Sequence, residues 1–469
     1  MMGYTDIYEW EWLYSEQALS GFYTAVFYDN EGAELLTLEG ITGRTWRGGN
    51  YDINVEISGS HPSTLEILFK SIPNQTNLRI ISNTQYPEYI FSNLIADKRN
   101  VNFESNPSFY SLKLKFEKLQ VKFDDIGKTS IHNEWYLNGV TNYISLNNRR
   151  ELSQELKCSW KINDSITERE IVKSSQSFSL NTAIIKGSEI PTFLLSSVPK
   201  KFGEFSSKNT TIEYLKEFGD IPDKNTRKSI EEITSFVIGN QLVNIGYTCY
   251  DESGNVIEIG ANKPESHLNL DTLRTTPSKF MPVNLNIRSD GENIEEILPP
   301  LLKAYFEKKD ELLLDIVFYS YWLSQTLPFE YMLPVLQNGF EILVKRLLGQ
   351  DETKQLTFRN NDKEGSKQRS GFFDAVKHIC EDIFNIKVGD LEKAAYNLRH
   401  KMTHSRIKWE SMSYDDKKES YTQLLAYYTL YNRMILCSLG YDGNYIDWAT
   451  TWFSPSIVSR PIIENSRKG

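Results

Sequence analysis

Between residues 21 and about 123 the chain alternates apolar and polar positions with the two-residue period of a strand. Segments 51–57 (YDINVEI) and 111–116 (SLKLKF) should each bury one face. Residues 21–28 and 33–39 flank the turn Asp29-Asn-Glu-Gly32 as a hairpin. Further strands are predicted at 158–162 and 177–180, and such short strands punctuated by Gly, Asn and Pro indicate a β-sandwich or a barrel. A helix follows over 226–238, stopped by Gly239. A second hairpin then joins strands at 243–250 and 256–259 through the turn 251–255. Residues 261–292, rich in Pro, Asn, Ser and Asp, read as the link between domains.

From Ile294 the period lengthens to that of a helix. Leu301, Phe306, Leu312 to Leu314 and Ile316 to Phe318 belong to one or two helices. Residues 331–348 set Leu333, Leu336, Phe340, Leu343, Val344 and Leu347 on one face, before Gly349. Residues 360–369 are polar and read as a mobile loop. Helices resume at 371–384 and 390–404. A last long one starts at Ser413, whose spacing to Asp416 resembles a capping box, and runs to Leu439 before Gly440. The expected fold class is α+β multidomain, with a β-rich, sandwich-like domain over 1–285 and an all-helical bundle over 286–469.

Composition agrees with a folded chain of two or three domains: 469 residues, 40% hydrophobic, 24% charged and 13% aromatic. A net charge of −10 excludes a protein that coats nucleic acid non-specifically, but not a small basic site on an acidic body. Cys158, Cys249, Cys380 and Cys437 lack paired spacing, as for reduced thiols and neither a disulfide frame nor a metal site. The start, MMGYTDIYEWEWLY, has no basic or apolar signal pattern, and the uncharged stretch 316–329 is too short to span a bilayer. A cytoplasmic protein without a membrane partner is expected.

The stretch 396–406 (YNLRHKMTHSR) carries the candidate chemistry. Leu391, Ala394, Ala395, Leu398 and Met402 form an apolar stripe at helical spacing. Arg399 lies beside it, and His400 and His404 lie off it. At about 100° per residue, Arg399 and His404 point about 140° apart in a regular helix. Either the helix loosens near Thr403 and His404, or two chains pool their residues across a shared groove; a combination of the two is expected. Residues 398–408 hold four cations, Arg399, Lys401, Arg406 and Lys408, and no carboxylate. They suit either phosphate contact or the dipole of a helix C-terminus.

An Arg, four residues and then a His, with a polar residue directly after the Arg, resembles the HEPN ribonuclease motif. It lies near the end of a predicted helix with one long helix after it, as in that family. Residues 336–345 (LQNGFEILVK) resemble the family's second core helix, which bears Leu and Glu. Trp10-Glu-Trp12, residues 20–27 (SGFYTAVF), Asp29-Asn-Glu-Gly32, residues 34–40 (ELLTLEG) and Ile245-Gly246-Tyr247 look like an Apea-type N-terminal domain. Together these cover most of the chain, in the order of the Apea-like HEPN family.

That resemblance implies an antiphage protein acting by abortive infection. It would be a metal-independent endoribonuclease with no cofactor, restrained by its N-terminal domain until a phage-derived trigger releases it. The substrate would be RNA, tRNA among the candidates, cut at a site shared within a homodimer or larger homo-oligomer. Arg399 and His404 would be the catalytic pair, with His400 and Glu341 accessory and Lys401, Arg406 and Lys408 on the RNA. His400 stands where the family commonly has Asn or Asp. The chemistry is sound for these residue types. An imidazole with an ordinary pKa near 6.5 can take the ribose 2′-OH proton or protonate the leaving 5′-oxygen. A guanidinium can grip the phosphate by two prongs. The expected ends are a 2′,3′-cyclic phosphate and a 5′-hydroxyl.

Other candidates carry less. His378 and Cys380 read as core or surface residues, and Glu341 with Lys345 as a helical surface pair that can border the site. Trp10, Trp12 and Tyr14 read as closing a β core. Nothing in the sequence joins His61, His132 and His267 to a site. No phosphate loop, Gly-x-Ser-x-Gly or His-Glu-x-x-His is present. Two alternatives stand beside the ribonuclease: a non-cutting HEPN dimer module, and a β-domain that itself binds carbohydrate.

Overall fold

A computed structural model describes residues 17–47, 52–60, 76–82, 87–95, 100–103, 109–123, 128–137, 144, 146, 148–154, 160–162, 165–167, 176–197, 210–264, 280–285, 291–357, 371–405, 409–452, 454 and 456–462. The first strands are β1 (Gln17–Tyr28), β2 (Glu34–Arg47), β3 (Ile53–Ser60), β4 (Asn77–Ser82), β5 (Glu88–Leu94), β6 (Asn100–Phe103) and β7 (Phe109–Lys122). Six of them pair antiparallel in the ring β3–β2–β1–β4–β5–β7, which closes because β7 also pairs with β3. Its length allows this: residues 109–116 of β7 match β3, and 116–122 match β5. This part is therefore a closed barrel and not two facing sheets. Closure leaves no open edge, and the inward Val55, Ile57, Phe91, Leu114 and Phe116 fill the interior.

The sheet does not stop there. The remaining strands of this part are β8 (Ile131–Tyr136), β9 (Asn148–Gln154), the small hairpin β10 (Trp160–Ile162) and β11 (Ser165–Thr167), β12 (Gln176–Ile185), β13 (Phe193–Ser197), β14 (Thr210–Leu215), β15 (Asn244–Tyr250) and β16 (Val256–Asn262). From β7 the hydrogen bonding continues through β16, β15, β8, β14, β13 and β12 to β9. Helix α1 (Lys224–Ile238) lies between β14 and β15 in the chain. Asp223 caps it by accepting from the amides of Asn225 and Thr226, and Gly239, at φ 67°, ends it.

The second half is mainly helical: α2 (Ile294–Leu312), α3 (Leu314–Gln325), α4 (Phe329–Leu347), α5 (Phe372–His378) with a π turn over Ile379–Ile383, α6 (Asp390–Ser405), α7 (Tyr414–Ser438) and the short α8 (Trp448–Thr451). It is not all-helical as expected, because Asn444–Ile446 pairs with Ser459–Pro461 as a small hairpin. Leu313, at φ 51°, divides what could have been one helix into α2 and α3. Ser413 accepts from the Asp416 amide and starts α7, whose residues 424–436 are all buried, Tyr427, Tyr428 and Tyr431 among them. This helix is the centre of the bundle.

Within the 261–292 link, the described residues 280–285 are packed, because Phe280, Met281, Val283 and Leu285 are buried. Phe280 stacks on Tyr428 at 4.1 Å, and its carbonyl accepts from Tyr321 and Asn432, each at 3.0 Å. Polar composition signalled a loop, but its four apolar residues strap it into the core. One apolar core consequently extends from β12–β14 and α1 through 280–285 into the bundle, on both sides of residue 285, while the barrel has its own. Among the described residues no helix is long and apolar enough to cross a membrane.

Candidate functional site

Helix α6 presents the Arg399 region. Asp390 and Glu392 sit in its first turn, where carboxylates suit the helix dipole. Of the predicted stripe, Ala395, Leu398 and Met402 are buried against the bundle, whereas Leu391 is exposed and Ala394 partly so. The helix continues unbroken through Ser405, so no loosening occurs at Thr403 and His404. Regular geometry then keeps Arg399 and His404 about 140° apart on one chain. His400, Lys401 and His404 belong to this helix, but their side chains lie outside what is described, as do residues Arg406 and Lys408.

Arg399 is half-buried, with its Nε enclosed by protein. The Tyr427 hydroxyl of α7 donates to Gln337 Oε1 of α4 and lies within reach of the Arg399 charge. Burial pushes the Tyr427 hydroxyl well above its ordinary value; the Arg399 charge works against this, while Tyr396 and Glu341 add to it. Tyr427 thus joins α7 to α4 through Gln337, and Arg399 and Tyr396 of α6 and Glu341 of α4 act on its hydroxyl electrostatically. Tyr427 is braced edge-on by Phe340 at 5.3 Å, and Tyr396 stacks on Phe372 at 5.7 Å. Glu341 opens onto a pocket of about 470 Å³ shared with Lys345, Lys354 and Phe372. Lys345 does not make the expected pair with Glu341 but donates to the Glu352 carbonyl at 3.2 Å. The Tyr427–Gln337 bond carried no signal in the sequence, because both residues look like ordinary core positions until the helices are packed.

His378 pairs with Asp382 at 2.6 Å on the surface and Cys380 is fully buried, as expected for residues without a site. His132, which nothing in the sequence joins to a site, lies in a buried polar cluster. Its Nδ1 lies 3.1 Å from Cys249 Sγ and its Nε2 lies 3.3 Å from Glu134 Oε1. Glu134 also accepts from Arg227 Nε at 2.8 Å and from the Tyr136 hydroxyl at 2.6 Å. Burial alone would raise the Glu134 carboxyl, but its contacts with His132, Tyr136 and Arg227 outweigh burial and hold it below the usual range. Burial pushes the Cys249 thiol far up, so it is no thiolate nucleophile at neutral pH. His132 stacks on Tyr247 at 5.1 Å, and Tyr247 donates to Glu258 at 2.5 Å. Residues from β8, β15, β16 and α1 make this cluster. Their distance in sequence explains why no motif announced it.

Comparison with family models, with curated proteins and with solved structures gives no match. Among the described residues no group of three or more His, Cys, Asp or Glu side chains could hold a metal ion.

Proposed function

We propose that the chain is a metal-independent endoribonuclease of the HEPN type, with Arg399 and His404 as its catalytic pair and a second copy of the chain completing the site. The observation that supports this most is the seating of Arg399, half-buried on an unbroken α6 with its Nε enclosed by protein. A guanidinium held by packing loses little freedom when it meets a phosphate, which is what transition-state stabilisation requires. Because helical positions 399 and 404 are about 140° apart around a regular helix, one chain cannot easily aim both groups at one linkage. A two-fold pair of chains can, with the two imidazoles as acid and base. His400 and Glu341 assist, and Lys401, Arg406 and Lys408 hold the RNA backbone. The β-rich part keeps the nuclease quiet until phage infection, when host RNA, tRNA among it, is cut.

Sequencing of RNA ends in cells expressing wild type, Arg399→Ala or His404→Ala during infection tests this. New 2′,3′-cyclic phosphate and 5′-hydroxyl ends are expected with wild type alone. Matching profiles from the three, or cutting abolished by a chelator, would remove the reading.

A further inference from the structure

Helices α1 and α3 cover a face of the sheet that is polar where a covered face is ordinarily apolar. Strands alternate their side chains, so positions two apart share a face: His132 with Glu134, Tyr247 with Cys249, and Lys118 with Gln120. All six line one cleft of about 1040 Å³. Burying such groups is unfavourable unless each finds a partner. Much of the set is satisfied internally, but the buried Gln241 Oε1 at the cleft has no hydrogen-bond partner among the described residues. A packed face that keeps polar groups and open space suits a ligand better than it suits stability.

We infer that this cleft binds a nucleoside, a neutral planar heterocycle carrying a sugar. Three observations select that class. Aromatic rings line the cleft, Tyr247 on the sheet and Tyr319 and Trp322 on α3, and Tyr319 is 49% exposed. Side-chain amides of Gln120 and Gln241 also line it, offering donors and acceptors to the edges of a base, and those of Asn244 and Asn262 line it bonded to each other, Asn262 donating to Asn244 at 2.7 Å. The lining holds five Lys or Arg side chains against five Asp or Glu, a balance that favours a neutral ligand over a polyphosphate, which would need an excess of cations. The volume, near the upper end of the roughly 300–1000 Å³ common for small-molecule sites, is sufficient. A ligand there touches sheet, α1 and α3 at once and so braces the β-rich part against the bundle. None of this depends on the ribonuclease reading.

Titration calorimetry on the full chain with adenosine, guanosine, cytidine and uridine, each beside its triphosphate, is the test. One nucleoside binds in a single-site isotherm, and its triphosphate binds more weakly. Gln241→Met weakens binding about 10-fold, the effect of one lost hydrogen bond, while leaving the unfolding midpoint of the free protein in place. Tyr319→Ala, at a half-exposed position, also weakens binding. Bound nucleoside slows amide exchange over residues 315–322. Absence of heat with all four nucleosides overturns the inference. So does a triphosphate that binds more tightly than its nucleoside, or affinity unchanged in both variants.

Discussion

The Tyr305 hydroxyl on α2 donates to Glu232 Oε2 on α1 at 2.7 Å, and Lys309, one turn further along α2, donates to the same oxygen at 2.7 Å. The bundle is thereby tied to the helix that lies on the sheet. Burial, and after it the Glu232 charge, pushes the Tyr305 hydroxyl far above its ordinary range, so it is a donor at every working pH.

Removing the shared acceptor should therefore cost more than removing one donor. Glu232→Ala is expected to lose about 2 kcal/mol and Tyr305→Phe about 1 kcal/mol. The double variant should lose less than their sum, because both act on one oxygen. Denaturant unfolding of the three proteins measures this, and strictly additive losses would show that the contact is not shared.

Asp52 predicts a pH dependence. Burial would raise its carboxyl, but Lys263 at 2.7 Å and Lys115 at 3.3 Å more than reverse this, and the net shift is downward. A depressed native value means that stability is present above the unfolded value and is lost as pH falls through the native one. Asp52→Asn should cost about 2 kcal/mol at neutral pH. The gap to wild type should close as acid takes the protein below the ordinary Asp value of 3.8. A gap that stays constant through the acid titration would rule this ion cluster out as a source of stability.

Gly239 ends α1 at φ 67°, and a Cβ there would collide with the Met281 backbone. Gly239→Ala adds left-handed strain of about 1 kcal/mol to a clash that the buried 280–285 strap cannot easily yield to, for a total of about 3 kcal/mol. The thermal midpoint should fall clearly. A midpoint unchanged within error would mean that the strap is not anchored at Met281.

Tyr427 is expected to position Arg399, not to touch RNA. Tyr427→Phe keeps the ring on Phe340 but removes the hydroxyl that donates to Gln337 and is acted on by the Arg399 charge. The turnover of RNA cleavage should fall about 10-fold with little change in KM, the signature of a transition-state effect. A rise in KM at constant turnover would instead place Tyr427 in substrate binding.

Local elements were legible in the order of residues. The β1–β2 hairpin, the stop of α1 at Gly239 and the start of α7 at Ser413 all follow from chemistry within about four residues of chain. Barrel closure was not. It depends on β7 pairing with β3 at one end and β5 at the other, strands far from each other in sequence. The 280–285 strap misled for a related reason: a few apolar residues outweigh a polar neighbourhood once a core is ready to receive them.

The amino-acid order alone determined that Arg399 and His404 share one helix and point to different sides of it, since helical period needs only neighbouring residues. How far Arg399 is buried, and which sheet face α1 and α3 cover over His132, Glu134 and Cys249, was decided only by tertiary packing. Periodicity says that a face exists. Burial energy, summed over segments distant in the chain, chooses what it faces.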